Sequence, residues 1–411
     1  MTHTRARFAW RRSSAALVAL ALLLCACFCP RTGAAASDGM IRVRLTRLGS
    51  RASLSFTATC AYYVDGNTAR PIPAGAQATV DAVGGELFLT VDGARTALGA
   101  SCTLARGQGG ARGIRFTSPA YSSLYCGDLM LSVSGGSIVP VLRIYIEDYL
   151  YGVVGYEMSN AWPLEALKAQ AVAERTYIYY HLQRGGKANH PDADVCMDHT
   201  CCNAWTGAEQ AAQKWGEQAE AYEAKIQEAV RATDGQVMLY NGQLILAAFH
   251  SSSDGVTASC RDVWVQDLPY LASVASPESG ESVPNYYSVR EFTAAEFQKI
   301  MRAAHAQADF SGAPETWITD PVRNGSDRVE TITIGGMTVE GTEVRRLYGL
   351  RSASFTAEAT AETVRFHVTG YGHGVGMSQY GANTLASEGK TWQEILHWYY
   401  TDVTIETYRP E

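Results

Sequence analysis

Residues 139–181 read VPVLRIYIEDYLYGVVGYEMSNAWPLEALKAQAVAERTYIYYH. Val139 to Ile146 is an apolar run of strand length that leads into Glu147-Asp148-Tyr149-Leu150. The clearest helix of the chain follows. Pro163 suits a first helical position, where no backbone N–H is needed, and Glu165 in the first turn complements the helix dipole. Leu164, Leu167, Ala171 and Ile178 recur at helical spacing down to about His181. Upstream, residues 40–138 alternate short apolar runs such as Ile41–Leu45 and Glu86–Val91 with Gly, Ser and Asn turns, which reads as strands. Downstream, Ala208–Ala232 reads as an exposed helical stretch, Gln236–Tyr240 and Leu244–His250 as strands, and Phe292–Ala306 as a helix. Gly335-Gly336 sits between Val329–Ile334 and Met337–Glu340 as a hairpin turn, and Trp392–Tyr399 is an amphipathic helix. The expected class is α+β: mixed and β-rich, with a few helices.

The 411 residues suffice for two domains or one large one, and 46% apolar content supplies a sizeable core. A net charge of −7 argues against nucleic acid as a partner. Arg5, Arg7, Arg11 and Arg12 precede the apolar run Ala15–Cys29, and Ala34-Ala35-Ala36 offers a small-residue cleavage site. Residues 1–36 are therefore expected to be a signal peptide or an N-terminal membrane anchor, and the chain to be exported. Three of the ten cysteines lie in that segment; the other seven are an odd number, so at least one stands outside an intrachain disulfide.

Candidate chemistry gathers in four places. Glu157 is a lone carboxylate in the run Gly152–Met158, and an apolar setting raises a carboxyl pKa toward what a general acid needs. The same residue read as a strand-ending Glu would simply face water. Lys168 and Arg175 lie seven apart, on one helix stripe that faces either an anionic or hydroxyl-rich ligand or plain solvent. His190, Cys196, His199, Cys201 and Cys202 fall within thirteen residues of a polar loop. These are zinc donors, and adjacent Cys201-Cys202 is a strained disulfide pair, although disulfides to distant cysteines stay open. The absence of His-Glu-x-x-His speaks against a zinc protease. Finally, His250-Ser251-Ser252-Ser253-Asp254 and the glycine-rich Gly370–Ala382 each read as a polar ligand surface or as tightly packed backbone. No Gly-x-Ser-x-Gly elbow or P-loop lysine accompanies them.

Three segments together resemble one family: GVVGYEMSNAWPLEALKAQAVAERTY, FHSSSDGVTASCRDVWVQDLPYLASVASP and GYGHGVGMSQYGANTLASEGKTWQEILHWYY. They look like the stage II sporulation protein D domain, shared with amidase enhancers. The resemblance covers roughly residues 140–407. It implies helices and strands around a substrate groove in a family domain at 139–411, while the β-rich N-terminal region at 40–138, read from its alternation, carries little of the likeness. Within that domain it implies a zinc loop at 190–202 and a β-rich insertion at about 284–365. It further implies a lytic transglycosylase that cuts peptidoglycan glycan strands to 1,6-anhydro ends, in sporulation or engulfment. The runner-up is a non-catalytic, glycan-binding amidase enhancer. Glu157 takes the catalytic position, as acid and then base. Lys168 and Arg175 match the family's essential cations, and His250, Ser251, Ser253, His373, Gln379 and Tyr380 are expected along the groove. His190, Cys196, Cys201 and Cys202 match the ligands of a structural Zn2+, which leaves His199 outside. Implied partners are glycan strands, a cell-wall amidase or endopeptidase, and membrane proteins of an engulfment complex. The chain departs from the pattern at Ser159, usually Pro, at Cys201-Cys202, usually His-Cys, and at Asp254, usually Gly.

Overall fold

The computed structural model describes residues 39–409 except 111 and 265. The expected signal segment, residues 1–36, lies outside the described residues. Among those described, no helix is long and apolar enough to cross a membrane.

The N-terminal third forms two sheets. One has seven strands in the order 195–196, 40–44, 137–145, 128–134, 101–106, 62–64, 71–72. The other has six, in the order 120–125, 114–118, 53–58, 77–83, 86–91, 94–99. Alternation along Met40–Arg44 and Ser53–Ala58 puts every second side chain inside, and Leu54, Phe56, Val80, Leu104, Leu129 and Leu142 join one apolar cluster across both sheets. Ser137–Tyr145 is buried almost continuously, because Val139 and Val141 on its other face pack on Ala193. The strand-rich reading of 40–138 thus matches the fold. The first sheet, however, runs straight through position 138, and its first strand, Met40–Arg44, lies between Ser137–Tyr145 and the short strand Val195–Cys196.

Helix α1 (Ile146–Glu157) follows the long strand without a loop. No helix is expected here from the sequence: Gly152 and Gly155 beside Val153 and Val154 are weak helix formers, and burial of Tyr149, Leu150, Val153 and Val154 at helical spacing decides for helix. Helix α2 (Leu164–Gln183) begins one residue later than expected, with Pro163 at its cap position. The stretch 208–232 is two helices, α3 (Ala208–Trp215) and α4 (Ala219–Ala232), separated at Gly216, whose φ of 56° ends α3. Helices α2 and α4 contribute Leu167, Val172, Ile178, Ile226 and Val230 to the large cluster.

Residues 287–369 hold two three-stranded sheets and two helices, α5 (Ala294–Ala304) and α6 (Gly341–Tyr348). Phe297, Phe310, Trp317, Tyr348, Phe355 and Phe366 form an apolar cluster of their own there. The expected hairpin turns at Gly335-Gly336. The chain then returns through the glycine-rich segment to α7 (Gln379–Ser387) and α8 (Trp392–Tyr399), both packed on the large cluster.

Candidate active site

Glu157 is the last residue of α1, and its carboxylate is half-buried at the base of a cleft of about 380 Å3. Tyr156, Trp162, Trp215, Tyr222 and Tyr380 supply aromatic walls, and Ser251, Gln379 and Lys214 supply polar groups. Tyr380 meets Trp162 edge-on at 4.7 Å. Among the described residues lining this cleft, Glu157 is the one carboxylate. Burial raises its pKa, against hydrogen bonds from the Ala204 N–H at 3.1 Å and the Gln379 Nε2 at 3.4 Å. An adjoining cavity of about 210 Å3 shares Gly155, Tyr156, Lys214 and Trp215 and reaches Arg47 and Gln210, so the surface depression continues onto the N-terminal sheets.

The donors on Glu157 are placed by glycine. A Cβ on Gly152 would fall on the Trp205 indole and the Thr206 carbonyl, so only glycine lets loop 203–206 lie against α1 and aim the Ala204 N–H at the carboxylate. Gly370, Gly372, Gly374 and Gly376 all have positive φ, and Cβ atoms there would strike the Ser252 and Ser253 backbone, His250, Arg328 and Ala248. The glycine-rich segment is therefore packed backbone. Its contribution to the cleft is to deliver α7, capped by Ser378, with Gln379 and Tyr380 at its first turn.

The expected groove residues divide. Ser251, Gln379 and Tyr380 line the Glu157 cleft. Ser253 is fully buried, and its N–H binds Glu278. His250 is buried, with Nδ1 on the Val375 carbonyl at 3.3 Å, and desolvation drives its pKa down to about 3. His373 meets Trp264 in a tilted ring contact at 4.9 Å, and burial pushes its pKa well below the usual range. Neither histidine lines the cleft. Arg175 corrects the sequence reading more sharply: it is fully buried and makes two bonds to Glu147, at 2.7 and 2.6 Å, with further contact to the Gln236 carbonyl. Lys168 donates to Glu165 at 2.7 Å, whose other oxygen accepts the Trp392 N–H that opens α8. The stripe, which spacing left open between a ligand and solvent, faces the protein's own helices. Lys214, from the helix read as simply exposed, is the lysine of the cleft.

Two buried carboxylates had no sequence signal beyond a Glu inside an apolar helix or after a proline. Glu174 accepts from Gln170 at 3.0 Å and from Asn203, and burial raises its pKa well above the usual range. Glu278 accepts from Ser253 N–H, Ser276 and, at 2.5 Å, Ser378. Through Ser378 it holds the cap of α7 and so the place of Gln379.

The second centre is the cysteine loop. Donor atoms of His190, Cys196, Cys201 and Cys202 all lie within 4.8 Å of one another, a set that could hold a metal ion. His190 Nδ1 sits 3.1 Å from the Ala193 carbonyl, which leaves Nε2 facing the sulfurs, 3.2 Å from Cys202. Hydrogen bonding from Cys202 lowers the Cys196 thiol, and the same contact raises the Cys202 thiol, so the three sulfurs titrate together and Cys196 ionises first. His199 is exposed and outside the set. The loop reaches the cleft within two residues, since Cys202 is followed by Asn203, on Glu174, and Ala204, on Glu157.

A β-rich α+β body with a single-carboxylate aromatic cleft beside a thiol-rich loop defines the class. A family model described as stage II sporulation protein matches residues 134–240. Stage II sporulation protein D of Bacillus subtilis (strain 168) is 37% identical over 265 residues, 64% of this chain and 75% of that protein. Its namesake in Bacillus amyloliquefaciens is 35% identical over 308 residues, 75% of this chain and 87% of that protein. The amidase enhancer of Bacillus subtilis (strain 168) is 27% identical over 312 residues, 63% of this chain and 40% of that protein. The chain belongs to the stage II sporulation protein D and amidase-enhancer family.

Proposed function

We propose that this chain is an exported peptidoglycan lytic transglycosylase acting in sporulation-related cell-wall remodelling, with Glu157 as its acid and then its base. The observation that carries the reading is the solitary carboxyl group. Hydrolytic glycosidases place a second carboxylate across the sugar, about 5–9.5 Å away. Among the described residues of this cleft none is present. A single group suffices when the substrate supplies its own nucleophile. Protonated Glu157 gives its proton to the glycosidic oxygen between N-acetylmuramic acid and N-acetylglucosamine as that bond breaks. The resulting carboxylate then takes the proton of the muramyl C6 hydroxyl while O6 bonds to C1. No water is consumed, and the acid is regenerated.

Burial favours the protonated form of Glu157, while the Ala204 N–H and Gln379 receive the carboxylate that forms midway. Tyr156, Trp162 and Tyr380 offer apolar faces to sugar rings, and Lys214 and Arg47 offer cations to muramyl carboxylates along the continued depression. His190, Cys196, Cys201 and Cys202 would hold a structural Zn2+ that braces the loop carrying Ala204. A cell-wall amidase and engulfment-type membrane proteins are the partners this role calls for.

Likeness to an amidase enhancer favours one second reading, glycan binding without cutting. Purified glycan strands incubated with the protein and resolved by mass spectrometry separate the cases. Anhydro-muramyl ends are expected. Reducing ends would mean hydrolysis, and intact strands retained by the protein would mean the enhancer role.

A further inference from the structure

Away from the cleft, the insertion meets the glycine-rich segment at a small cavity of about 20 Å3 lined by Asn324, Arg328, Thr342, Arg345, Gly372 and His373. Arg328 is only 2% exposed. Its Nη2 donates to Asp254 at 3.2 Å, while Nε and Nη1 are buried and bond no other described group. Leaving guanidinium donors buried and unpaired is costly, so an acceptor at this place is favoured. Charge selects the kind of acceptor. Burial lowers the pKa of both Arg328 and Arg345, and Arg345 is lowered further by Arg328, so the two cations repel. Asp254 offsets one of them. Glu278, the other carboxylate near Arg328, is already taken by Ser253, Ser276 and Ser378. Asp262, which also lines the cavity, is exposed and forms no ion pair among the described residues. The nearby imidazoles of His250 and His373 are held neutral by burial, so they add no compensating charge.

Size selects within the anions. A cavity needs about 10–15 Å3 of this measure to seat one water-sized particle. The space therefore fits one atom-sized ion and not a phosphate or a sugar acid. We propose that the Arg328–Arg345 cavity is a binding site for a single halide ion, chloride being the natural occupant, which ties the 287–369 insertion to the glycine-rich segment.

Thermal unfolding of the intact protein at constant ionic strength, with chloride replaced stepwise by gluconate, tests this. The expected result is a Tm that rises with chloride and keeps rising with the logarithm of its concentration past saturation. Arg345→Met, which removes a cation that forms no ion pair among the described residues, should flatten that rise. A crystal grown in bromide should show an anomalous peak within hydrogen-bonding distance of Arg328 Nε or Nη1. Equal Tm in the two salts, a chloride response unchanged in Arg345→Met, or a bromide crystal with no anomalous peak there would each overturn the site. The bromide crystal decides the matter even if the variant does not fold.

Discussion

In the proposed reaction Glu157 suits its role because two opposing influences meet on it. Burial raises its pKa, and the Ala204 and Gln379 donors pull it back, so the group stays both a usable acid and a usable base. The linkage sign follows. The folded pKa lies above the unfolded one, so folding binds a proton more tightly than the unfolded chain does, and ionisation of Glu157 destabilises the fold as pH rises through the folded value. That penalty is absent below the ordinary carboxylate range near about 4.3. Glu157→Gln should therefore raise Tm at neutral pH, with the gain vanishing as pH falls into that range, while anhydro-end formation drops by about 10²–10⁴-fold. An amide that lost activity and stability together at neutral pH would show that the carboxylate is a structural hydrogen-bond acceptor for Ala204 and Gln379, and the acid role would fail. Position 157 was legible in the sequence because a lone carboxylate in an apolar run is conspicuous. Its partner Ala204 was not, because a backbone N–H has no signature.

At the level of elements, the helices are joined by buried polar ties that spacing alone could not place. Arg175 clamps α2 to the first turn of α1 through Glu147, and the pair also reaches strand 236–240. Its loss should act through stability. Arg175→Met strands the buried Glu147 and should cost about 3–5 kcal/mol in chemical denaturation, whereas Glu147→Leu in the same chain should recover much of it. A ligand-binding arginine would show no such rescue. Periodicity cannot separate the two cases, since a stripe of cations facing helices has the same spacing as one facing substrate. The cysteine loop is the second tie. Protein loaded with zinc and then stripped with a chelator should lose Tm and cutting together, because Ala204 follows Cys202 by two residues on its way to Glu157. Unchanged activity after verified metal removal would detach the loop from catalysis. Gly152→Ala offers a metal-free version of the same test. Its Cβ displaces Trp205 and Thr206, and the cost should be about 1–3 kcal/mol with a matching loss of rate.

Over the whole molecule, alternation and turn residues were enough to read 40–138 as strands, and the helical period was enough for α2 and α8. Sheet order was not readable, because strand pairing is set by long-range contacts that leave no mark on local pattern. A boundary at 138/139 separates residues by family likeness, yet the strand Ser137–Tyr145 is paired on one side with Asp128–Ser134 and on the other with Met40–Arg44. Met40–Arg44 in turn pairs in parallel with Val195–Cys196, and Cys196 belongs to the cluster that could hold a metal ion. A fragment starting at residue 139 would leave Ile144, Leu142 and the 195–196 strand with open edges and an exposed apolar face. Such a fragment should lack a cooperative unfolding transition by circular dichroism and should bind zinc less tightly than the chain that begins near residue 39. A 139–411 fragment that unfolded cooperatively at the full protein's Tm would mean that the N-terminal sheets are an independent attachment. The Arg47 end of the depression would then be incidental to the Glu157 cleft.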